Sequence, residues 1–129
     1  MNTKLLMSVS AVVLGVTGVT LSFFPQEIAV ILGMGESSDI VLQVLGALYF
    51  GFAMINWMAK ASLIGGIYSR PVAAGNLAHF MMGALALTKL TFSGASLDYI
   101  WVAALAYSVF AVLFGYVFFT TPALSGKSG

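Results

Sequence analysis

Four apolar runs organise this chain, and nearly all of its charged residues fall in the short stretches between them. The pattern predicts helices over Leu5 to Phe24, Ile40 to Ala59, Pro71 to Thr88 and Tyr99 to Phe119. Each run approaches the ~20 residues that cross a hydrocarbon core. No run alternates with period two, so a transmembrane barrel is disfavoured. The expectation is an all-α, polytopic membrane protein: a single four-transmembrane-helix bundle occupying residues 1–129. Between the first two runs, residues 25–36 carry an apolar centre, Ile28 to Leu32, that is too short to cross and reads as an interfacial segment. Ser37, Ser38 and Asp39 offer N-cap oxygens and negative charge to the second helix, and Pro71 suits the first turn of the third. The small-residue tail after Pro122 is expected to be mobile.

Composition agrees with a lipid environment, since 60% of the residues are hydrophobic and 7% charged, against about a quarter charged in soluble domains. The first run is longer than the roughly 7 to 15 residues of a signal-peptide core, and Ser22-Phe23-Phe24-Pro25 has no small-x-small cleavage pattern, so a retained helix is expected. Orientation follows from the basic residues. Lys4, Lys60, Arg70 and Lys127 share one side of the predicted spans, while Lys89 joins Glu27, Glu36, Asp39 and Asp98 on the other. Basic residues are retained on the cytoplasmic side during insertion, which predicts both termini inside a bacterial inner membrane. Trp57 and Tyr68 near one face, and Tyr99 and Trp101 near the other, fit interfacial aromatic belts. A net charge of +1 with scattered cations provides no footprint for nucleic acid.

Polar residues inside the runs are the candidates for chemistry, because an unpaired polar group in hydrocarbon costs several kcal/mol. Asn56, Asn76 and His79 stand out, with Tyr49 and Tyr107 beside them and Gln43 and Thr17 as weaker members. Helical spacing puts Val72, Gly75, Asn76, His79, Gly83, Ala86 and Leu90 on one small and polar face, and leaves Leu77, Met81, Ala84 and Leu85 to meet lipid. In the second run Leu42, Leu45, Tyr49, Phe52 and Asn56 share a face. Asn56 lies roughly 6 Å from Lys60 and Asn76 roughly 9 Å from Arg70 along their helices, so an interhelical Asn56–Asn76 hydrogen bond is expected. Tyr49, His79 and Tyr107 fall near mid-membrane and form a second expected layer. Gly75 and Gly83, with Ala104, Ala111 and Gly115 on the last run, are the expected helix-packing positions.

These polar groups read best as interhelical hydrogen-bonding glue, and the sharper alternative makes His79 a proton carrier or ligand. No catalytic residue and no metal site are predicted. There is one His and no Cys, and no acidic side chain lies inside a run. That set falls short of the three or four ligands a zinc centre requires. A tetrapyrrole needs as little as one axial His, so His79 leaves haem or a chlorophyll as a lesser possibility. Gly65-Gly66 lacks the Lys-Ser/Thr ending of a phosphate loop and reads as a turn. Ser62, Ser69 and Ser93 have no base in reach, so hydrolase chemistry is not indicated. The first run carries no Glu, unlike the small multidrug resistance family.

The four-helix plan, the acidic stretch after the first run and Leu45-Gly-Ala-Leu-Tyr-Phe-Gly-Phe-Ala-Met-Ile-Asn-Trp57 resemble small bacterial inner-membrane proteins of the DoxX-like type. The resemblance implies an accessory or partner subunit of a membrane redox system, and it carries over no functional residue. The expected function is a non-enzymatic packing, assembly or accessory subunit that meets the lipid bilayer and forms a homo-oligomer or joins a membrane-protein partner. The alternative is binding or transport of a small apolar ligand, such as a quinone, lipid or tetrapyrrole, in a cavity around His79.

Overall fold

A computed structural model describes residues 2–33, 39–93 and 98–121. Its helices are α1 (Thr3–Phe23), α2 (Pro25–Ile31), α3 (Asp39–Ala59), α4 (Arg70–Phe92) and α5 (Asp98–Phe119). The expected cap at Ser37 and Ser38 and the tail after Pro122 lie outside the described residues. The long helices form because a segment in lipid must satisfy its own backbone groups, and an apolar run of this length does so as a helix. The segment after α1 contributes the seven residues of α2, with Pro25 in its first turn. Pro71 likewise sits in the first turn of α4.

Three of these helices are long and apolar enough to cross a membrane: Thr3–Phe23, Asp39–Ala59 and Ile100–Phe119. They mark the chain as a membrane protein and correct the expectation of four such helices. At 23 residues α4 has the length. It lacks the composition, because Pro71, Asn76 and His79 sit on it among many Gly and Ala residues.

The chain divides into two compact units, Lys4–Ala61 and Ser62–Gly129, with Met1–Thr3 assigned to the second. In Lys4–Ala61, α1 and α3 run antiparallel. Ser10 faces Asn56 near one end, and Gly18 faces Gly46 and Phe50 near the other. Met7, Leu14, Leu42 and Ala53 are buried, and Ala29 of α2 packs with Leu21 and Leu42.

In Ser62–Gly129, α4 and α5 are antiparallel around Phe80, which is fully buried. Its ring stacks on Phe110 at 4.8 Å and on Phe114 at 5.5 Å, and meets Tyr107 edge-on at 5.0 Å between centroids. The connection before α4 folds into a tight turn. Tyr68 N–H donates to the Gly65 carbonyl at 2.8 Å, and Gly65 N–H donates to the Tyr68 carbonyl at 3.1 Å. Gly66 N–H donates to the Val117 carbonyl at 3.3 Å, which ties this turn to the last turn of α5.

The inward face of α4 differs from the one its polar residues predict. Ala73, Asn76, Phe80 and Ala84 are buried and Leu77 is half-buried, whereas Ala86 and Leu90 are exposed. The face is turned by about one residue, ~100°, because packing the Phe80 ring against three aromatic side chains outweighs centring the helix on His79.

Candidate functional site

The polar candidates divide between the two units. In Lys4–Ala61, Asn56 and Ser10 are both fully buried. The Asn56 amide donates to Ser10 Oγ at 2.9 Å, and Ser10 Oγ donates to the Met7 carbonyl at 3.1 Å. A donor on α3 is thus passed through a hydroxyl to a backbone acceptor on α1, an arrangement that removes two polar groups from lipid at once. Ser10 was absent from the expected cluster. Its signal in the sequence is that it shares a helical face with Met7 and Leu14, both buried. Tyr49, on the same helix as Asn56, is half-buried beside the Leu21, Ala29 and Leu42 cluster.

In Ser62–Gly129, His79 and Tyr107 meet as expected: Nε2 and the phenol oxygen are hydrogen-bonded at 3.0 Å, with the donor set by the imidazole tautomer. The His79 ring lies edge-on to Phe80 at 4.9 Å, which anchors the pair to the aromatic stack. Gly83 makes room for it, since a β-carbon there would strike the Tyr107 ring. The fully buried Asn76 donates its amide to the Val72 carbonyl one turn back, at 2.9 Å. Among the other packing positions Ala104 is buried, and Gly75, Ala111 and Gly115 are half-buried. Gly115 faces Leu77.

These contacts bear on the tetrapyrrole idea. An axial bond from His79 Nε2 would have to break the Tyr107 contact. The space over Gly83 that would admit a flat ring holds the Tyr107 ring. Shallow grooves lie elsewhere. One of about 240 Å³ runs between α4 and α5 past Thr88, Phe92, Trp101 and Leu105. Another, of about 440 Å³, follows Val12, Gly15, Val16 and Val19 of α1 to Phe50.

Hydroxyls on the helices are handled locally. Thr20 donates to the Val16 carbonyl at 2.8 Å and Thr91 to the Leu87 carbonyl at 2.9 Å, the usual i−4 bond of a helical Ser or Thr. Among the described residues no buried side-chain nitrogen or oxygen lacks a hydrogen-bond partner.

The Asn56–Ser10 contact makes a direct prediction. A double-mutant cycle on Asn56→Leu and Ser10→Ala should return a coupling of about 0.6 kcal/mol and below ~2 kcal/mol, the range for hydrogen bonds between membrane helices. The readout is unfolding in mixed micelles, and strictly additive single effects would show that the contact contributes nothing.

Comparison with protein-family models, curated proteins and solved structures finds no match for this chain.

Proposed function

We propose that this chain is a small non-enzymatic subunit of the bacterial inner membrane that acts by packing, either with itself or beside another membrane protein. The carrying observation is the closure of its polar groups. Asn56 is bonded to Ser10, Asn76 to its own helix and His79 to Tyr107, so side chains that a carrier or catalyst would turn towards a substrate are turned towards the protein. The outward sides of α1 and α5 are rich in Val, including Val12, Val16, Val109 and Val112, all exposed. Such β-branched side chains are already restricted at χ1, so a docking helix immobilises little further rotamer freedom. The DoxX-like resemblance supports the same accessory role.

In this reading α4 enters the bilayer as a fourth crossing, shielded by α5. Its outer side carries Met81, Met82 and Leu85, all exposed, while Asn76 and His79 have partners. Both termini lie in the cytoplasm. Single cysteines introduced as Ser62→Cys and Ser125→Cys should then resist an impermeant thiol reagent in intact cells, and Ser96→Cys should label. The opposite labelling pattern would invert the topology, and protection of Ser62→Cys and Ser96→Cys with labelling of Ser125→Cys would remove α4 from the membrane.

The second reading, a small apolar ligand at His79, is favoured by the half-buried His79–Tyr107 pair, which places two protic groups 3.0 Å apart on facing helices. His79→Gln separates the two, since it retains hydrogen bonding and abolishes titration. Native mass spectrometry of gently extracted wild-type protein and of His79→Gln should give the same assembly of more than one chain. A single chain carrying a small-molecule adduct that His79→Gln loses, or a visible absorption band lost in the same variant, would favour the ligand reading.

A further inference from the structure

We propose that Arg70 holds the headgroup of an anionic phospholipid where α5 meets the membrane surface. The guanidinium is fixed from two sides. Nη1 donates to the Gly66 carbonyl at 2.7 Å, and Cζ lies 4.6 Å over the centre of the Phe118 ring. Gly66 is itself tied to Val117 through its N–H, and a β-carbon at Gly66 would meet Thr121. The turn that presents Arg70 is therefore docked on the end of a membrane-crossing helix.

Charge defines the partner. The chain has no Asp or Glu between Asp39 and Asp98 and none after Asp98. Asp98 opens α5, 20 residues before Phe118 and thus roughly 30 Å away along the helix. Within Ser62–Gly129, the one Asp or Glu of the sequence therefore stands at the opposite end of α5 from Arg70. Of its five N–H donors, the Gly66 bond uses one. The remaining planar fork matches two oxygens of a phosphate, and the contacts with Gly66 and Phe118 restrict the guanidinium before the ligand arrives. The first amides of α4 do not compete for this role, since Val72 and Ala73 both donate to the Ser69 carbonyl, at 3.0 and 3.1 Å.

Location selects a lipid over a free ion. Ile67 is 74% exposed and Phe119 78% exposed. Ile67 belongs to the turn before Arg70 and Phe119 ends α5, so bare apolar side chains stand at the end of a crossing helix, where acyl chains and headgroups meet. This inference rests on α5 crossing the membrane and does not depend on the packing partner.

The test is native mass spectrometry of the protein released from micelles holding equal phosphatidylglycerol and phosphatidylcholine, with helicity checked for every variant. Wild-type protein should retain phosphatidylglycerol preferentially, and Arg70→Gln should reduce that retention about tenfold, as for loss of a charge-assisted bidentate contact. Arg70→Lys, a point charge without the fork, should restore only part of it. Phe118→Leu should weaken retention with the charge intact. Lys89→Gln, at the other end of α4, should leave it unchanged. Equal retention of the two lipids, undiminished retention in Arg70→Gln, or an equal loss in Lys89→Gln would overturn the proposal. Displacement of the lipid by equimolar inorganic phosphate would overturn the lipid assignment in favour of a free anion. If Arg70→Gln loses helicity, full retention in both Arg70→Lys and Phe118→Leu overturns it.

Discussion

Phe80→Ala is expected to destabilise the α4–α5 pair by about 2–3 kcal/mol. In a water-soluble core the same truncation costs about 3–5 kcal/mol, combining transfer from water with the cavity left behind. Here the side chain has lipid as its alternative environment, so much of the transfer contribution drops out. The cavity contribution stays. Removing a ring of roughly 100 Å³ at about 24 cal/mol per Å³ accounts for ~2.4 kcal/mol. The site cannot collapse easily, since Phe110, Phe114 and Tyr107 all rest on Phe80 and are held by α5. Met82→Ala is the matched control on the same helix, because Met82 is 71% exposed and should change stability by less than ~0.5 kcal/mol. Reversible unfolding in mixed micelles measures both, and equal effects would mean that Phe80 is not the centre of this unit.

The second large effect is expected at the crossing of α1 and α3. A β-carbon at Gly46 would lie 2.7 Å from the Gly18 carbonyl oxygen and 2.9 Å from the Ser22 amide nitrogen. One at Gly18 would lie 2.7 Å from the Phe50 amide nitrogen and 2.8 Å from the Gly46 carbonyl oxygen. Ser22 Oγ also stands in the way at Gly46, but these backbone atoms are obstacles that no rotamer change can move aside, so the helix axes must separate. Gly46→Ala and Gly18→Ala should each cost about 1–3 kcal/mol, as overpacking does in a tight core. Their combination should cost less than the sum, because the first separation accommodates part of the second. Gly51→Ala is the discriminating control. Nothing lies within 4 Å of its added β-carbon, and the higher helix propensity of Ala should leave stability unchanged or raise it by up to ~1 kcal/mol. Equal destabilisation at Gly51 and Gly46 would trace the effect to the helix itself and remove the crossing as its cause.

The two sites show what helical periodicity reads and what it misses. Gly75, Gly83, Ala104, Ala111 and Gly115 were the expected packing positions, and Gly83 does seat Tyr107. Close backbone approach is instead seen at Gly18 and Gly46, two small residues among many. Of the layer of Tyr49, His79 and Tyr107 that matching depths suggest, the His79–Tyr107 contact is present. Phe80, next to His79 in sequence, escapes such a reading because an aromatic residue in an apolar run carries no distinguishing signal.

The sequence alone determined the helical class, the positions of the long helices to within four residues and the separation of charge to their ends. It also singled out Asn56 and Asn76, both fully buried. These are local matters: an apolar run must close its hydrogen bonds within itself, and a polar side chain must leave lipid wherever it stands. Tertiary structure alone decided which faces meet. It turned α4 on to Phe80, gave Asn56 a partner in Ser10, and brought Gly18 against Gly46. In water a hydrophobic residue points to the core, so its position predicts its neighbours. In a membrane the lipid is as apolar as the interior, and a Phe, Leu or Val gains nothing by transfer from one to the other. Fit between particular surfaces then makes the choice, and fit exists only once the helices are together.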